Sequence, residues 1–143
     1  MKFPYRKIRL DDASGFFGGL ILKPIIPVKI SAGNCKELNY EVLIDSGADF
    51  CIFDADVGEY LGIDINSGEK ITFGGIQDRK GAAAFMHKVV LNIGGWSYSA
   101  IVGFSHDIAK QGFGVLGQKG FFDNFVVKFD LNKEEIELRE KIR

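Results

Sequence analysis

The stretch YEVLIDSGADFCIF, Tyr40 to Phe53, places a polar motif inside the most apolar run of the sequence. Residues 42–44 (VLI) lead into Asp45, and residues 50–53 (FCIF) follow Asp49. Apolar runs bounded by turn-forming residues predict buried strands, so the motif DSGAD is expected to form a tight loop between two of them. We call residues 45–49 the aspartate loop, and we expect its flanking strands to keep Asp45 partly out of water.

The residue types in this loop favour a role beyond that of a simple turn. The Ser46 hydroxyl is able to hydrogen-bond to nearby backbone and hold the loop, and Gly47 leaves space for another backbone because it has no Cβ. One carboxylate alone is a poor catalyst of amide hydrolysis, whereas two that share a proton can act as general base and general acid. The motif therefore raises the question of where a second carboxylate would come from.

Three motifs in a fixed order resemble those of the retropepsin-like (retroviral-type) aspartic proteases: IDSGAD at 44–49, FGGIQDRKG at 73–81 and GVLGQKGFF at 114–122. The resemblance covers about residues 19–138 of the 143. It implies an all-β fold, a small closed barrel with one or two short helices and a flap hairpin. The two-lobed relatives carry Asp-Ser/Thr-Gly twice, but this chain carries it once. The resemblance thus implies a homodimer, with Asp45 of a second copy supplying the missing carboxylate.

The resemblance also implies a role for each position of the motifs. Asp45 would be the catalytic residue, and Ser46 would join a hydrogen-bonded grip between the two aspartate loops. Gly47 and Ala48 would line the backbone of a polypeptide substrate, while Asp49 would accept hydrogen bonds from it or support the dimer. The other implied residues belong to the flap and to the segment beside the aspartate loop: Gly74, Gly75, Ile76, Val115, Leu116 and Gly117.

One position departs from the family pattern. Arginine often follows the glycine of the last motif and pairs with the second aspartate of the loop, but this chain has Gln118 after Gly117. An amide cannot make the charge-assisted fork of a guanidinium group. We therefore expect Asp49 to be held less firmly and the dimer either to be weaker or to depend on its terminal strands, for which KFPYRKIRL (2–10) and NKEEIELREKIR (132–143) are the candidates.

Outside the motifs, alternating apolar residues predict short strands. Phe85 to Ile93 alternate on one face, and Gly94-Gly95 predicts a turn into a returning strand. Asp54 is a predicted N-cap of a short helix in DADVGEYLGI, and QKGFFDNF (118–125) is expected to make one or two helical turns. The tail is interpreted as a hairpin across NKEE rather than as a helix.

Composition argues against several classes of function. A chain of 143 residues fits one domain, 1–143, and a net charge of −1 offers no electrostatic basis for binding nucleic acid or an anionic membrane. The N-terminal segment lacks the pattern of a signal peptide, and GGLILKPIIPVKI is too short and interrupted to span a bilayer. A cytoplasmic protein that binds neither membrane nor nucleic acid is expected.

Cysteine, histidine and glycine patterns point to no metal and no cofactor. Cys35 and Cys51 are expected to be reduced thiols. His87, on a strand, and His106, in a loop, lack the spacing of metal ligands. The G-x-G-x-x-G match at 112–117 lacks the long helix that a dinucleotide fingerprint requires.

Two functions from different classes remain after these exclusions. The first is an aspartic endopeptidase that is active as a homodimer. The alternative is a retropepsin-like module that binds extended peptides or dimerises without cleaving. Peptide turnover that is lost in Asp45→Asn would distinguish the two.

Overall fold

Short strands make up most of the structure, so the predicted all-β class is confirmed. The computed structural model describes residues 1–11, 15–73, 81–108 and 113–141. Within these ranges the chain forms twelve strands, one α-helix and one 3-10 helix. The strands are β1 (Lys2–Pro4), β2 (Arg6–Arg9), β3 (Leu20–Lys23), β4 (Ile25–Ser31), β5 (Glu37–Ile44), β6 (Ile52–Asp54), β7 (Glu69–Phe73), β8 (Ala82–Ile93), β9 (Trp96–Ser105), β10 (Gly114–Leu116), β11 (Phe125–Asp130) and β12 (Glu135–Glu140).

The main sheet closes on itself. Its seven strands follow the order β4-β5-β10-β6-β9-β8-β7. Because β4 also pairs with β8, the first six strands of this order form a ring, and β7 lies outside it. Large apolar side chains from neighbouring strands fill the interior, among them the fully buried Phe53 and Phe104, whose ring centroids lie 6.0 Å apart. Removal of these rings from water is the main favourable term that holds the ring of strands together.

Two parallel pairings bring the aspartate loop to the centre of this sheet. β10 pairs with β5, with Leu116 opposite Ile44, and β6 pairs with β9, with Ile52 opposite Gly103. β10 also pairs with β6 through Val115 and Ile52. The aspartate loop connects β5 to β6, so β10 lies between the two strands that carry it.

The predicted β7–β8 hairpin is present as far as the structure describes it. Its arms pair from Glu69 opposite Met86 to Phe73 opposite Ala82. The flap residues predicted from the sequence, Gly74, Gly75 and Ile76, lie outside the described residues. At the other end of β8, Gly94 and Gly95 have φ of 59° and 89°, left-handed values that glycine adopts readily in a two-residue hairpin turn.

The predicted short helix is also present, as α1 (Ala55–Tyr60), and a 3-10 helix (Ile65–Ser67) follows it. The Asp56 N–H donates to the side chain of Asp54 at 2.9 Å, which makes Asp54 the N-cap as expected. No helix in the described ranges is long and apolar enough to cross a membrane.

The segment 117–124, which we call the turn segment, forms a series of turns, and one of them, closed by the Phe125 N–H on the Phe121 carbonyl at 3.1 Å, has the helical spacing that was expected. Its hydrogen bonds from the Phe122 N–H to the Gly117 carbonyl (3.2 Å) and from the Asp123 N–H to the Gln118 carbonyl (3.0 Å) span five residues. Gly120 has a φ of +94°, which no α-helix accommodates. The segment therefore contains one turn of helical spacing but no longer helix, and the period of its apolar residues could not reveal the left-handed position at Gly120.

The chain termini form a separate three-stranded sheet of order β1-β12-β11. The Met1 ammonium donates to the Leu138 carbonyl at 3.0 Å, and the Leu138 N–H donates back to the Met1 carbonyl at 2.8 Å. The tail is a hairpin of β11 and β12, as predicted, and Ile136 and Leu138 are buried. β2 and β3 pair with each other and form a further sheet of two strands.

Candidate active site

Backbone hydrogen bonds to the neighbouring strand fix the start of the aspartate loop. The Asp45 N–H donates to the Leu116 carbonyl at 3.0 Å, which continues the β5–β10 pairing past the end of β5. The Ala48 N–H donates to the Asp45 carbonyl at 3.1 Å and closes the loop into a turn. The Gly47 N–H donates to Asp45 Oδ1 at 2.9 Å, so backbone of the same loop orients the carboxylate.

The Asp45 side chain is exposed in the single chain, as are Ser46 and Gly47. This differs from the expectation that the flanking strands would limit its contact with water. The physical reason is that the apolar residues before it, Val42 and Ile44, point into the core and are buried, whereas the loop lies beyond the strand end. The described residues of the chain's own fold thus leave Asp45 in contact with water.

The turn segment supports the aspartate loop from the other side. The Gln118 N–H donates to the Ala48 carbonyl at 2.8 Å, and the Lys119 N–H donates to the Asp49 carbonyl at 3.0 Å. The Gln118 side-chain amide donates to the Ser46 carbonyl at 3.1 Å. Gln118 therefore binds backbone of the loop, where an arginine would be expected to pair with the carboxylate of Asp49.

Two polar side chains of the loop are not engaged within the described ranges. There, the Ser46 hydroxyl makes no hydrogen bond and the Asp49 carboxylate makes neither a hydrogen bond nor an ion pair. The suggestion that the Ser46 hydroxyl holds its own loop is consequently not what the structure shows; the Asp45 carboxylate and Gln118 do so. Both Ser46 and Asp49 are exposed, and hence accessible to a substrate or to a second chain.

Gly117 lies where the turn segment approaches the loop most closely. A Cβ at this position would overlap the Phe50 carbonyl oxygen and would lie 2.7 Å from the Ala48 carbonyl oxygen. These are backbone atoms, which cannot rotate away as a flexible side chain would. Val115 and Leu116, the residues of β10 that precede Gly117, pair with Leu43 and Ile44 of β5.

Sequence reasoning missed the part played by a cysteine behind the loop. Cys51 is fully buried; its thiol donates to the Lys119 carbonyl and accepts from the Gly117 N–H, both at 3.4 Å. Burial raises the pKa of the Cys51 thiol to about 12, so the thiol stays protonated and able to donate. The only hint in the sequence was the presence of a small polarizable residue in the apolar run that follows the motif, directly before β6.

A cleft of about 680 Å³ opens next to the aspartate loop, between it and the strands β7 to β9. Its apolar wall is formed by Phe50, Ile71, Met86 and Ile101, and its rim carries charged and polar groups. Ile101 is 60% exposed, an unusual exposure for an aliphatic residue in the middle of a strand. The sequence analysis did not identify this wall, because its residues come from separate strands and meet only in the folded sheet.

The end of the β7–β8 ladder next to its connecting loop is fixed by the side chains of Ser105, the last residue of β9, and of Asp107, which follows it. The Ala83 N–H donates to Asp107 Oδ2 at 2.9 Å, and the Ser105 hydroxyl donates to the Ala83 carbonyl at 2.6 Å. The Ser105 hydroxyl oxygen also accepts from the Asp107 N–H at 3.0 Å. Ser105 is fully buried, and these hydrogen bonds satisfy its hydroxyl group.

The histidines do not form part of this site. His87 Nε2 lies 2.8 Å from the Ile65 carbonyl oxygen and connects β8 to the 3-10 helix, while His106 is exposed. In the ranges the structure describes, no group of three or more His, Cys, Asp or Glu side chains is placed to hold a metal ion.

Solved structures with the same architecture cover most of the chain. A retropepsin-like aspartic protease from Rickettsia conorii matches with a TM-score of 0.55 and 15% identity, over 96% of this chain and 92% of that one. EIAV protease in complex with the inhibitor HBY-793 matches with a TM-score of 0.50 and 20% identity, over 67% of this chain and 82% of that one. No protein-family model and no curated protein matches the sequence. The chain therefore has the retropepsin-like aspartic protease fold, and the resemblance seen in its sequence is confirmed at the level of the fold.

Proposed function

We propose that the protein is an aspartic endopeptidase that hydrolyses peptide bonds in extended polypeptides and is active as a homodimer. The observation that carries this proposal is the single Asp-Ser-Gly motif, folded into a loop whose carboxylate is exposed and oriented by the Gly47 N–H, on a fold shared with retropepsin-like proteases. The fold by itself does not decide activity. The proposal depends on the chemistry that Asp45 brings to it.

In the proposed reaction, Asp45 of each copy contributes one carboxyl group to a pair that shares a proton. The ionised carboxylate removes a proton from a water molecule as its oxygen attacks the peptide carbonyl carbon. The other carboxyl group donates its proton to the carbonyl oxygen, which gives a neutral gem-diol. The C–N bond then breaks as a proton reaches the leaving nitrogen, and no covalent intermediate with the protein forms.

The exposed parts of the aspartate loop suit a symmetric arrangement of two such loops. The Ser46 hydroxyl is exposed and makes no hydrogen bond in the described part of its own chain, so it is available to the loop of a second copy. Gly47 and Ala48 provide backbone beside Asp45, and the Asp49 carboxylate is available to accept from the N–H groups of a bound peptide. Main-chain pairing of an extended peptide between the flap (residues 74–76) and this floor would give affinity that depends little on sequence.

The apolar wall of the cleft beside the loop favours substrates that carry apolar side chains. Phe50, Met86 and Ile101 present apolar surface there, and burying such surface stabilises a complex. We place the activity in the cytoplasm, because Cys35 and Cys51 are both free thiols.

Peptide turnover tests the function directly. The protein is incubated with an apolar peptide library from mildly acidic to neutral pH, with and without a transition-state-analogue inhibitor of aspartic proteases. We expect cleavage that the inhibitor suppresses and that Asp45→Asn abolishes, with a loss of at least about 10³-fold because an amide can serve neither as base nor as acid. Asp64→Asn is the matched control, since Asp64 is exposed and makes no capping hydrogen bond; it should retain full activity.

The same experiment tests the non-catalytic alternative. Absence of cleavage at every pH, with peptide binding retained and the fold intact by circular dichroism, would contradict the endopeptidase and favour a peptide-binding module. Cleavage that survives Asp45→Asn would show that another group performs the chemistry.

A further inference from the structure

A tyrosine that the proposed reaction does not use reaches from β9 to the back of the turn segment. The Tyr98 hydroxyl donates to the Gly120 carbonyl at 2.7 Å, across 22 residues of sequence. Gly120 is buried, and a carbonyl at a buried position that loses its donor keeps the cost of its removal from water. The hydrogen bond therefore ties the turn segment to the main sheet.

Neighbouring aromatic rings fix the direction of this hydroxyl. The Tyr98 ring stacks on the Trp96 ring, with centroids 5.1 Å apart, and meets the Phe125 ring edge to face at 5.7 Å. Trp96 and Phe125 are also in edge-to-face contact, with their centroids 5.2 Å apart. Because close-packed rings interlock, the Tyr98 ring has little room to swing away from Gly120.

The Gly120 backbone lies close against the residues behind it. A Cβ at this position would lie 3.2 Å from Cys51 Sγ and 3.6 Å from the Ile101 carbonyl oxygen. The Gly120 N–H donates to Asp123 Oδ1 at 3.1 Å, within the turn segment itself. Its N–H and its carbonyl are thus both engaged, so Gly120 is held from two sides.

The two residues before Gly120 carry the hydrogen bonds to the aspartate loop. Gln118 and Lys119 donate from the main chain to carbonyls of that loop, and the Gln118 side-chain amide donates to a further one. Because one planar peptide bond joins Lys119 to Gly120, a displacement of Gly120 is passed on to the hydrogen bonds of Lys119. The hold that Tyr98 has on Gly120 consequently reaches the loop that carries Asp45.

We propose that Tyr98 is a positioning residue for the reaction: by holding the Gly120 carbonyl, it fixes the turn segment and, through it, the orientation of Asp45. The inference deepens the proposed function and rests on it, since two carboxyl groups share a proton only when they are held close together. Burial raises the pKa of the Tyr98 hydroxyl, so this group stays protonated and able to donate from mildly acidic to neutral pH. Tyr98 acts through the turn segment and not on the reacting atoms.

Hydrogen exchange tests the hold on the turn segment without any need for cleavage. Tyr98→Phe keeps the aromatic ring and its packing on Trp96 but removes the donor. We expect the Gln118 and Lys119 amides to exchange about tenfold faster in this variant than in the wild type, the factor that corresponds to the loss of one net hydrogen bond.

Tyr40→Phe is the matched control, because it removes the same hydroxyl from another partly buried tyrosine of the main sheet. The Tyr40 hydroxyl accepts from the Asp54 N–H at 3.3 Å, at the start of α1 and not in the turn segment. Exchange at Gln118 and Lys119 should therefore be equal in Tyr40→Phe and the wild type. Circular dichroism and the fluorescence of Trp96, the one tryptophan of the sequence, verify that each variant keeps its fold.

The pH profile of cleavage separates positioning from a loss of folded protein. In the proposed reaction the two limbs of the kcat/KM profile report the apparent pKa values of the coupled carboxyl pair. When the loop that carries Asp45 is held less firmly, the two carboxyl groups interact less, so the limbs should move toward each other in Tyr98→Phe. We expect kcat to fall about 10- to 100-fold as well, the usual effect of a misplaced catalytic group. Tyr40→Phe should keep the limbs and the kcat of the wild type.

Exchange at Gln118 and Lys119 that is equal in Tyr98→Phe and the wild type overturns the proposal. So does a lower kcat with both limbs at their wild-type pH values, because a smaller folded fraction alone produces that result. Equal effects of Tyr98→Phe and Tyr40→Phe likewise contradict it. A wild-type protein that cleaves no peptide contradicts the endopeptidase instead, and the exchange experiment then still decides whether Tyr98 holds the turn segment against the loop.

Discussion

Gly117 occupies a position where the aspartate loop leaves no volume for a side chain. A Cβ there would overlap the Phe50 carbonyl oxygen and press on that of Ala48, both of which belong to backbone that the site uses. The loop has to move if this volume is filled, so stability and the orientation of Asp45 are coupled at this one glycine.

Gly117→Ala should lower the free energy of unfolding by about 1–3 kcal/mol, the usual cost of overpacking, and should reduce peptide cleavage in the same variant. Urea denaturation measures the first effect and turnover measures the second. Gly33→Ala is a suitable control, because a Cβ at Gly33 would have no heavy atom within 4 Å, and only the φ of +85° opposes the substitution. Its cleavage activity should equal that of the wild type; equal stability of Gly117→Ala and wild type would contradict the steric argument.

The Cys51 thiol, which lies behind the aspartate loop, makes the free energy of unfolding depend on pH in the alkaline range. Its pKa rises from an ordinary 9.0 to about 12 in the folded protein, chiefly because burial disfavours the thiolate. The folded state therefore binds this proton more tightly than the unfolded state. The resulting stabilisation is complete below about pH 9 and is lost as the pH rises toward about 12.

We expect the free energy of unfolding to fall more steeply above about pH 9 in the wild type than in Cys51→Ser, by up to about 1.4 kcal/mol per pH unit. Cys35→Ser is the control and should follow the wild type, since Cys35 is exposed. Burial, and to a smaller extent the charge of Cys51, also raises the pKa of the Tyr98 hydroxyl, so Tyr98 adds a slope that Cys35→Ser shares with the wild type and that Cys51→Ser retains only in its burial part. Identical slopes in Cys51→Ser and wild type would show that the thiol does not couple to folding.

At the level of elements, the β7–β8 hairpin depends on contacts from outside its own ladder. Its inner arm, β8, continues past the last pair with β9, and there Ser105 and Asp107 bind the carbonyl and the N–H of Ala83. These bonds hold the end of the ladder from which the chain continues into the predicted flap.

Asp107→Ala should release the Ala83 amide and speed its hydrogen exchange by about tenfold, the factor that corresponds to the loss of one net hydrogen bond. Peptide cleavage should fall mainly through a higher KM, because substrate would be held by a less well-ordered hairpin. Asn92→Ala breaks side-chain bonds at the opposite end of β8 and should leave Ala83 exchange unchanged. Unchanged exchange in Asp107→Ala would show that the ladder alone fixes its end next to the connecting loop.

Across the whole molecule, local sequence patterns predicted most elements correctly. The DSGAD loop, the Asp54 cap and the Gly94-Gly95 turn each depend on residues that are close in sequence, and the structure contains all three. The strand expected at residues 50–53 begins later, at Ile52, and Phe50 instead forms an isolated bridge with Lys119. That boundary is set by a partner far along the chain, which periodicity does not report.

The features of the site that the sequence did not predict all depend on distant parts of the chain. The Cys51 contacts and the apolar cleft arise where the turn segment and β7 to β9 meet the aspartate loop, while the exposure of Asp45 follows from the position at which β5 ends. The roles of Asp45, Ser46, Gly47, Ala48 and Asp49 in catalysis stay predictions, as do those of Val115, Leu116 and Gly117. The three flap residues lie outside the described residues, so their roles also remain predictions.

The parallel pairing of β5 with β10 has a consequence for the order in which the protein acquires its chemistry. Asp45 receives its backbone support from Leu116, and contacts between positions so far apart in sequence form late, because the intervening chain must first lose its freedom. On the ribosome, an emerging chain that ends before Leu116 cannot hold the loop in its final shape. Under the proposed function, an unfinished chain would therefore lack the loop geometry on which cleavage depends.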